Sequence, residues 1–414
     1  MSGTKRQARG GTPKAEMKWH PLVKDSRKER NQRHSHHGLL SVLAWAFACG
    51  RTCLRGVEDF AADLSSRVRT KLGLRHGLSD TTLYRLLAKQ GVEGLRESVW
   101  RKLEELFRAR VITNDLFKFG VLSCDGKLLW ASSRTTVEGA KMLHDNNKKH
   151  GRVTSMLMSE RAVLTSSSVC PCLDSEIIGA GTGESPAFRN LFPRVVAQFG
   201  RHFRIVTGDA GLTCKANAKL VESLNKHYLF TLGENLHRAF RLVSEKLANA
   251  HVLARAAEHR DGERIERELF VAMVNDSDDL HIPGVKEVWR LRQKVTRGEH
   301  VISQKVRYFV SSIPPKLLSG SQKLALVRLH WSIENAHNWT MDVALEEDDR
   351  QPCQLTRESI EVVGWLRIIG YNILSAWRSG LPRKDGLKRQ SWARSIELLR
   401  DVLLFNRKGL FATP

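Results

Sequence analysis

The spacing of apolar and polar residues divides the chain into helical and strand-like regions. Up to residue 112, apolar residues recur every three or four positions, which is the spacing of helices with one buried face. The run 39–47 is apolar almost all round, and Ser79-Asp80 is a typical helix start. Between 119 and 231, short apolar runs end in polar residues and a helical stretch (215–225) separates two of them. This part of the chain predicts an α/β sheet.

The pattern changes again after residue 232. Apolar residues alternate with charged ones over 268–274, 287–295 and 301–311, which favours antiparallel strands. Helices are predicted further on, over 322–340, 360–376 and 392–404. The predicted organisation is a basic arm (1–37), a helical N-terminal domain (38–115), the first part of a core (116–232), a β-rich insertion (233–312), the second part of the core (313–378) and a helical tail (379–414).

The charge of the chain indicates which class of molecule it binds. Lys and Arg number 67 against 44 acidic residues, which gives a net charge of +23. A field of this sign attracts nucleic acid, although a ribosome-associated or merely basic protein would also carry it. The arm 1–37 has ten basic and three acidic residues, a net charge of +7. We expect it to contact phosphates; a solvated tail is the alternative.

Cysteine usage and hydropathy favour a reduced, cytoplasmic compartment, and binding to DNA would associate a bacterial protein with the nucleoid. The seven cysteines form no paired CxxC motifs, so a structural zinc site is not predicted. Cys170 and Cys172 are interpreted as two buried thiols, with chelation or cross-linking as the alternative. His34, His36 and His37 are read as a polar N-cap region rather than a metal site. The longest apolar run, 39–49, is about half the length of a membrane span.

Three acidic residues stand out as candidate chemistry. Asp125 and Asp209 each follow an apolar strand, where ligands collect in α/β sheets. Glu334 lies in a predicted helix, with aromatic and hydrogen-bonding side chains one turn away on either side. Two Asp and one Glu suit Mg²⁺ or Mn²⁺, and two such ions catalyse phosphoryl transfer. Taken singly, each residue is equally explained as a turn residue or a solvated carboxylate.

A longer motif surrounds Glu334. The stretch 328–348, RLHWSIENAHNWTMDVALEED, resembles the signature of H-repeat-associated insertion-sequence transposases. Asp125-Gly126-Lys127 and the segment ending in Asp209-Ala210 resemble the same family's two Asp motifs. The order of these motifs matches from about residue 40 to 375. Trp130 and Met341 depart from the family pattern.

The resemblance implies a fold and a function. The fold would be an RNase H-like mixed sheet flanked by helices, with a helical N-terminal domain and a β-rich insertion before the helix of the catalytic Glu. Asp125, Asp209 and Glu334 would be the catalytic, metal-binding residues of a DDE transposase that cleaves DNA and transfers strands with two Mg²⁺ or Mn²⁺ ions. Its partners would be the terminal inverted repeats and target DNA, bound by a homodimer, and no membrane.

Further residues are predicted to assist these three. DNA contacts are expected from Lys127, Arg328 and His330, and from Arg85 and Lys89 if the helix after Ser79 is a recognition helix. The alternatives are a solvated helix surface for Arg328 and His330 and an ordinary helical hairpin for Arg85 and Lys89.

Asn335 and His337 are expected to support Glu334. Trp289, Trp331 and Trp339 are interpreted as packing residues, with base stacking as the alternative for each of them. A catalytically idle, domesticated DNA-binding protein is the alternative function. A structural RNA-binding protein is a third hypothesis.

Overall fold

A computed structural model describes most of the chain. The described residues are 19, 21–25, 27, 32–74, 77–145, 152–275, 278–347, 356–381 and 389–405. Most of the predicted basic arm, Asp348 at the end of the Glu motif, and Cys353 lie outside them. The chain divides into two compact units: residues 1–113, 129–138 and 339–414, and residues 114–128 and 139–338. This division cuts the predicted 313–378 segment after Asn338.

The first unit is built of helices. Ser35 caps the first helix through its side chain, as the polar residues before the apolar run predicted, and Ser79 caps the fourth. The longest helix is buried over most of its length and packs on the first, where Gly370 lies against the backbone of Ala44 and Ala48. A side chain at Gly370 would collide with that backbone. The helices are α1 (His36–Ala48), α2 (Leu54–Asp63), α3 (Ser66–Lys71), α4 (Asp80–Leu87), α5 (Glu93–Arg108), α10 (Arg357–Gly380) and α11 (Trp392–Phe405), with a π-helical turn at Thr340–Ala344.

The second unit is built on a β-sheet, and the first strand of this sheet begins at Val121. Its helices are α6 (Glu184–Phe199), α7 (Lys215–Ser223), α8 (His237–Ala248) and α9 (Gly320–His330), with a π-helical segment at Ile333–Asn338. The strands are β1 (Val121–Ser132), β2 (Lys141–Asp145), β3 (Arg152–Leu164), β4 (Cys172–Ile178), β5 (Ile205–Gly208), β6 (His227–Leu232), β7 (Val252–Arg260), β8 (Glu263–Met273), β9 (Glu287–Arg297) and β10 (His300–Ser311).

The order and direction of the strands define the fold class. Over the described residues the sheet runs β2-β3-β1-β5-β6-β10-β9-β8-β7. β4 also pairs with β3, along residues 158–163, whereas β2 pairs with residues 152–156 of the same strand. The backbone of Thr165 donates to Val121, so the end of β3 lies beside the start of β1 and these strands are antiparallel. β5 is parallel to both β1 and β6. The order β4-β3-β1-β5-β6 with these directions is that of an RNase H-like sheet, which confirms the predicted α/β class.

Helices cover the two faces of the sheet. Thr207 and Gly208 point to opposite faces because side chains alternate along a strand. His330 of α9 contacts Thr207, so α9 lies on one face, here called the α9 face. Phe230, paired with Gly208, meets Phe188 of α6 edge-on, so α6 covers the opposite face, here called the α6 face. The core beneath α9 includes Trp289 and Phe309, both almost fully buried.

Several sequence expectations differ from the structure. The strands predicted at 153–158 and 162–167 are one strand, β3, because no turn residue interrupts them. Asp125 lies inside β1, which continues to Ser132. α8 and β7 were not predicted, and the β-rich region extends the core sheet through pairing of β10 with β6. Pairing between strands far apart in sequence decides this continuity.

Two smaller features concern the cysteines and the apolar helices of the described residues. Cys170 and Cys172 are both buried, as predicted. No helix of the described residues is long and apolar enough to cross a membrane.

Candidate active site

The first two candidate carboxylates are brought together by strand register. β1 and β5 pair in parallel, with Ser123 beside Thr207 and Cys124 beside Gly208. Continued by one residue, this register would set Asp125 beside Asp209. The hydroxyls of Ser123 and Thr207 hydrogen-bond at 2.8 Å, so these paired residues share a face, and Asp125, two residues after Ser123, points to the same α9 face. The backbone N–H of Gly211 donates to the Asp209 carboxylate at 2.8 Å.

Glu334 is brought to the same place by α9 and the π-helical segment that continues it. His330, four residues before Glu334, lies 3.3 Å from the Thr207 hydroxyl. Asn338, four residues after it, donates its amide to the Asp125 carboxylate at 2.8 Å. Glu334 thus lies between two residues that touch the strands of both Asp side chains, and its own side chain is exposed. A π-helical turn is rare and is often found at a functional site.

The pKa of Asp125 reflects both its burial and the other carboxylates around it. The pKa of Asp125 is raised to about 7, first by burial and then by the negative charges of Glu334, Asp209 and Glu184. Like charges at short range disfavour the ionised form. A carboxyl that is this strongly shifted beside other carboxylates is typical of a functional site.

Two further carboxylates that the sequence analysis did not select lie beside the Asp pair. Glu184 begins α6, and side chains at Gly126 or Gly211 would overlap its carboxylate. Burial and then Asp209 raise the pKa of Glu184. Glu160 of β3 is fully buried, and burial followed by the charge of Glu184 raises its pKa well above the ordinary value. Neither Glu184 nor Glu160 lies in a sequence motif that would single it out. The one local feature is that Glu184 begins a helix after a glycine-rich loop.

The candidate site offers the oxygen ligands that the predicted divalent cations require. Carboxylate oxygens are the ligands that Mg²⁺ and Mn²⁺ prefer, and both oxygens of the buried Glu160 lack a hydrogen-bond partner. As placed, no three His, Cys, Asp or Glu side chains among the described residues surround one point closely enough to hold an ion. The residues fit the cations in chemistry, and their side chains would have to converge to bind them.

The predicted supporting residues lie in different environments. His330 is buried, and burial followed by the charge of Arg307 lowers its pKa to about 4, so it is neutral. Lys127 is also buried, and as placed neither side chain is accessible to a DNA strand. Arg328 is exposed and pairs with Glu258 at 2.7 Å.

The two residues expected to support Glu334 contact other groups. His337 is fully buried against Arg161, at 3.3 Å. The amide of Asn335 donates to the backbone of Trp331. In the helical unit, Arg85 and Lys89 are exposed on α4 and at its end.

The aromatic residues divide into packed and exposed ones. Trp289 is fully buried and donates to Glu287, so the packing interpretation is confirmed. Trp331 packs edge-on against Phe309. Trp339 was predicted to pack, yet its side chain is 48% exposed. The sequence pattern around Trp339 did not indicate which face of this helical segment is exposed to solvent.

Two Escherichia coli (strain K12) proteins are similar in sequence to parts of this chain. Over 200 residues, 44% of this chain and 50% of the relative, it is 29% identical to "Putative protein YbfL". Over 83 residues, 19% of this chain and 20% of the relative, it is 35% identical to "H repeat-associated putative transposase YhhI". The chain therefore matches half or less of the length of these relatives. The similarity to the H repeat-associated relative supports a transposase-like relationship for the part of the chain that it covers.

A solved structure and the family models complete the comparison. A cryo-EM structure of piggyBac transposase, in a synaptic complex with hairpin DNA, aligns with 92% of this chain and 74% of its own, at 12% identity and a TM-score of 0.43. The fold assignment does not need this likeness, because it follows from the strand order. No protein-family model matches the chain.

Proposed function

We propose that this protein is a DDE transposase of the H-repeat-associated kind, which cleaves DNA and transfers strands with divalent cations. Asp125, Asp209 and Glu334 are the catalytic carboxylates and would hold Mg²⁺ or Mn²⁺. The similarity to a relative named as an H repeat-associated putative transposase supports this proposal.

One observation carries the proposal. The parallel register of β1 and β5, continued by one residue, would set Asp125 beside Asp209, and the helical segment that bears Glu334 is attached to both strands. Three acidic residues that are separated by 84 and 125 positions in sequence are therefore close enough that, after burial, the charges of Glu334 and Asp209 raise the pKa of Asp125. Folding stability gives no reason for this arrangement, because neighbouring like charges repel. Binding of cations gives a reason.

The chain's own residues position the reacting groups. Asn338 fixes the Asp125 carboxylate, Gly211 fixes Asp209, and neutral His330 anchors α9 to Thr207. Cations bound by the carboxylates supply the charge that stabilises the attacking and leaving oxygens of phosphoryl transfer. The remaining task is to orient the scissile phosphate, which we assign to exposed cationic side chains.

The proposed substrate is double-stranded DNA: the element's terminal inverted repeats and a target. The net charge of +23 supports a polyanionic partner. Arg328 and, in the helical unit, Arg85 and Lys89 are the proposed contacts, because all three are exposed. Joining two ends calls for two active sites, so we propose a homodimer in the DNA complex.

The test is DNA cleavage by the purified protein and an Asp209→Asn variant. The substrate is a duplex that carries the inverted repeats flanking the coding region, with Mg²⁺ or Mn²⁺. We expect wild-type cleavage, and loss of cleavage in Asp209→Asn with DNA affinity nearly unchanged. The control is Asp261→Asn in the β7–β8 turn, where the left-handed backbone (φ 52°) suits Asn and activity should be retained.

The outcomes separate the two candidate functions. Wild-type cleavage in Asp209→Asn would remove Asp209 from the catalytic residues. Tight DNA binding by the wild-type protein without cleavage under either metal would favour the idle, domesticated DNA-binding protein.

A further inference from the structure

The outer end of the sheet carries an open hollow. Strands β7 to β10 extend the sheet beyond β6, and a hollow of about 660 Å³ opens among their side chains. Val310 of β10 pairs with Phe230, which lies on the α6 face, and every second residue of β10 and its partners on β9, β8 and β7 point the same way. The charged residues of the α6 face that line this feature, here called the outer hollow, are Arg255, Arg264, Glu266, Glu268, Arg292 and Lys294.

Basic side chains outnumber acidic ones on this face of the outer hollow by four to two, a net charge of 4 − 2 = +2. Arg255 and Arg292 both pair with Glu268, so one carboxylate lies between two guanidinium groups. One negative charge does not neutralise two positive ones, and the excess attracts an anion. Arginine is suited to phosphate, because its planar guanidinium donates two parallel hydrogen bonds to neighbouring oxygens.

Lys294 adds an exposed cation to the same row. It lies two positions after Arg292 on β9, and Glu266 opposite it on β8 pairs with Arg264 at 2.7 Å. Two residues along a strand are about 6.6 Å apart, so Arg292 and Lys294 present two separate cations along one line. A row of this kind fits a linear polyanion better than a single small ion.

Folding stability does not account for this row of cations. The side chains of Arg255, Arg264 and Arg292 are 71%, 54% and 47% exposed within their ion pairs. Water screens pairs as exposed as these, so they contribute little to the free energy of folding. Each guanidinium can therefore exchange its carboxylate for a phosphate oxygen without a large loss of stability.

We propose that the outer hollow binds the phosphate backbone of duplex DNA, with Arg292 and Lys294 as its central contacts. The hollow lies on the α6 face, whereas Asp125 points to the α9 face, so the DNA that it holds is a second stretch, apart from the phosphate that is cleaved. Contacts to phosphates carry no sequence information, so this stretch can have any sequence. The inference rests on the proposed function, because that function supplies DNA as the polyanion.

The test is the salt dependence of binding between the full chain and a duplex of random sequence, measured by fluorescence anisotropy in EDTA. We expect Arg292→Gln with Lys294→Gln to reduce the magnitude of the slope of log affinity against log salt by about 1.8, since each lost phosphate contact contributes about 0.9. Lys118→Gln with Arg204→Gln is the matched control. These exposed residues precede β1 and β5 at the other edge of the sheet, so the same charge is removed and the slope should be retained. Thermal unfolding checks that each variant is folded.

A second measurement locates the DNA on the protein. Acetylation of lysine side chains, followed by mass spectrometry, should show Lys294 protected when DNA is bound and Lys118 labelled equally with and without DNA. Equal labelling of Lys294 in both states, or equal slopes for the two double variants, would overturn this inference. The proposed cleavage activity would remain standing, because neither measurement involves it.

Two further outcomes separate this inference from its alternatives. If the Arg292 and Lys294 double variant lost binding of poly-glutamate while its DNA slope stayed at the wild-type value, the outer hollow would be a surface for an acidic protein, and the assignment to DNA would be overturned. If the slope fell as expected while the wild-type protein cleaved no DNA under either metal, the catalytic function alone would be overturned.

Discussion

Two asparagines on the Glu334 segment differ in what they touch. Asn338 donates to the Asp125 carboxylate, whereas Asn335 donates to the backbone carbonyl of Trp331 one turn earlier. A hydrogen bond to a carboxylate fixes both its orientation and its charge, and residues that orient metal ligands affect activity from outside the site. The residue that positions the candidate ligand is therefore Asn338.

We expect Asn338→Ala to lower metal-dependent DNA cleavage by about 10- to 100-fold, because Asp125 loses the donor that holds it. The measurement is the single-turnover cleavage rate at increasing Mg²⁺, where excess metal should restore part of the rate. Asn335→Ala is the matched control, with the same substitution on the same segment, and should cleave at nearly the wild-type rate. Equal rates for the two variants would remove the positioning role from Asn338.

α9 holds the Glu334 segment against the sheet, and one ion pair fixes its first half. Lys323 of α9 donates to Glu287 of β9 at 2.6 Å, and the second oxygen of Glu287 accepts from Trp289 at 2.9 Å. The two charged side chains are only 4% and 3% exposed. Inside the protein each charge depends on the other, because neither can be solvated by water.

We expect Lys323→Met to lower the free energy of unfolding by about 3–5 kcal/mol, since it leaves the Glu287 carboxylate buried without its cation. Urea unfolding of the full chain measures the change. Lys316→Met, at an exposed position before α9, is the control and should shift stability by less than about 0.5 kcal/mol. Adding Glu287→Gln to Lys323→Met should recover part of the loss. A single variant as stable as the control would mean that the pair contributes nothing to holding α9.

The charge of the whole chain is spread unevenly along its sequence. Residues 1–18 carry five basic side chains and one acidic, a net charge of +4 before Trp19, which is buried. Each phosphate that a basic protein neutralises contributes about 0.9 to the slope of log affinity against log salt. The salt dependence of DNA binding therefore measures the contribution of this segment.

We expect deletion of residues 2–18 to reduce the magnitude of this slope by up to about four. The measurement is DNA affinity between low and moderate salt by fluorescence anisotropy. A variant with the five basic residues replaced by Gln tests charge alone and should behave like the deletion. An unchanged slope in both would identify the segment as a solvated tail.

The sequence by itself determined the class of the elements and much of the candidate site. Period and capping placed the helices of the first unit, and apolar runs placed β5 and β6, because these are local properties of the chain. Asp125, Asp209 and Glu334 were selected from strand ends and one long motif.

Only the tertiary structure decided which side chains lie beside Asp125, Asp209 and Glu334, because strand register and helix packing bring together residues far apart in the chain. Glu184 and Glu160 have no local signal, and the choice of Asn338 over Asn335 depends on the position of β1 beside the π-helical turn. Burial of Lys127 and His330, and the continuity of β10 with β6, follow from the same long-range pairing.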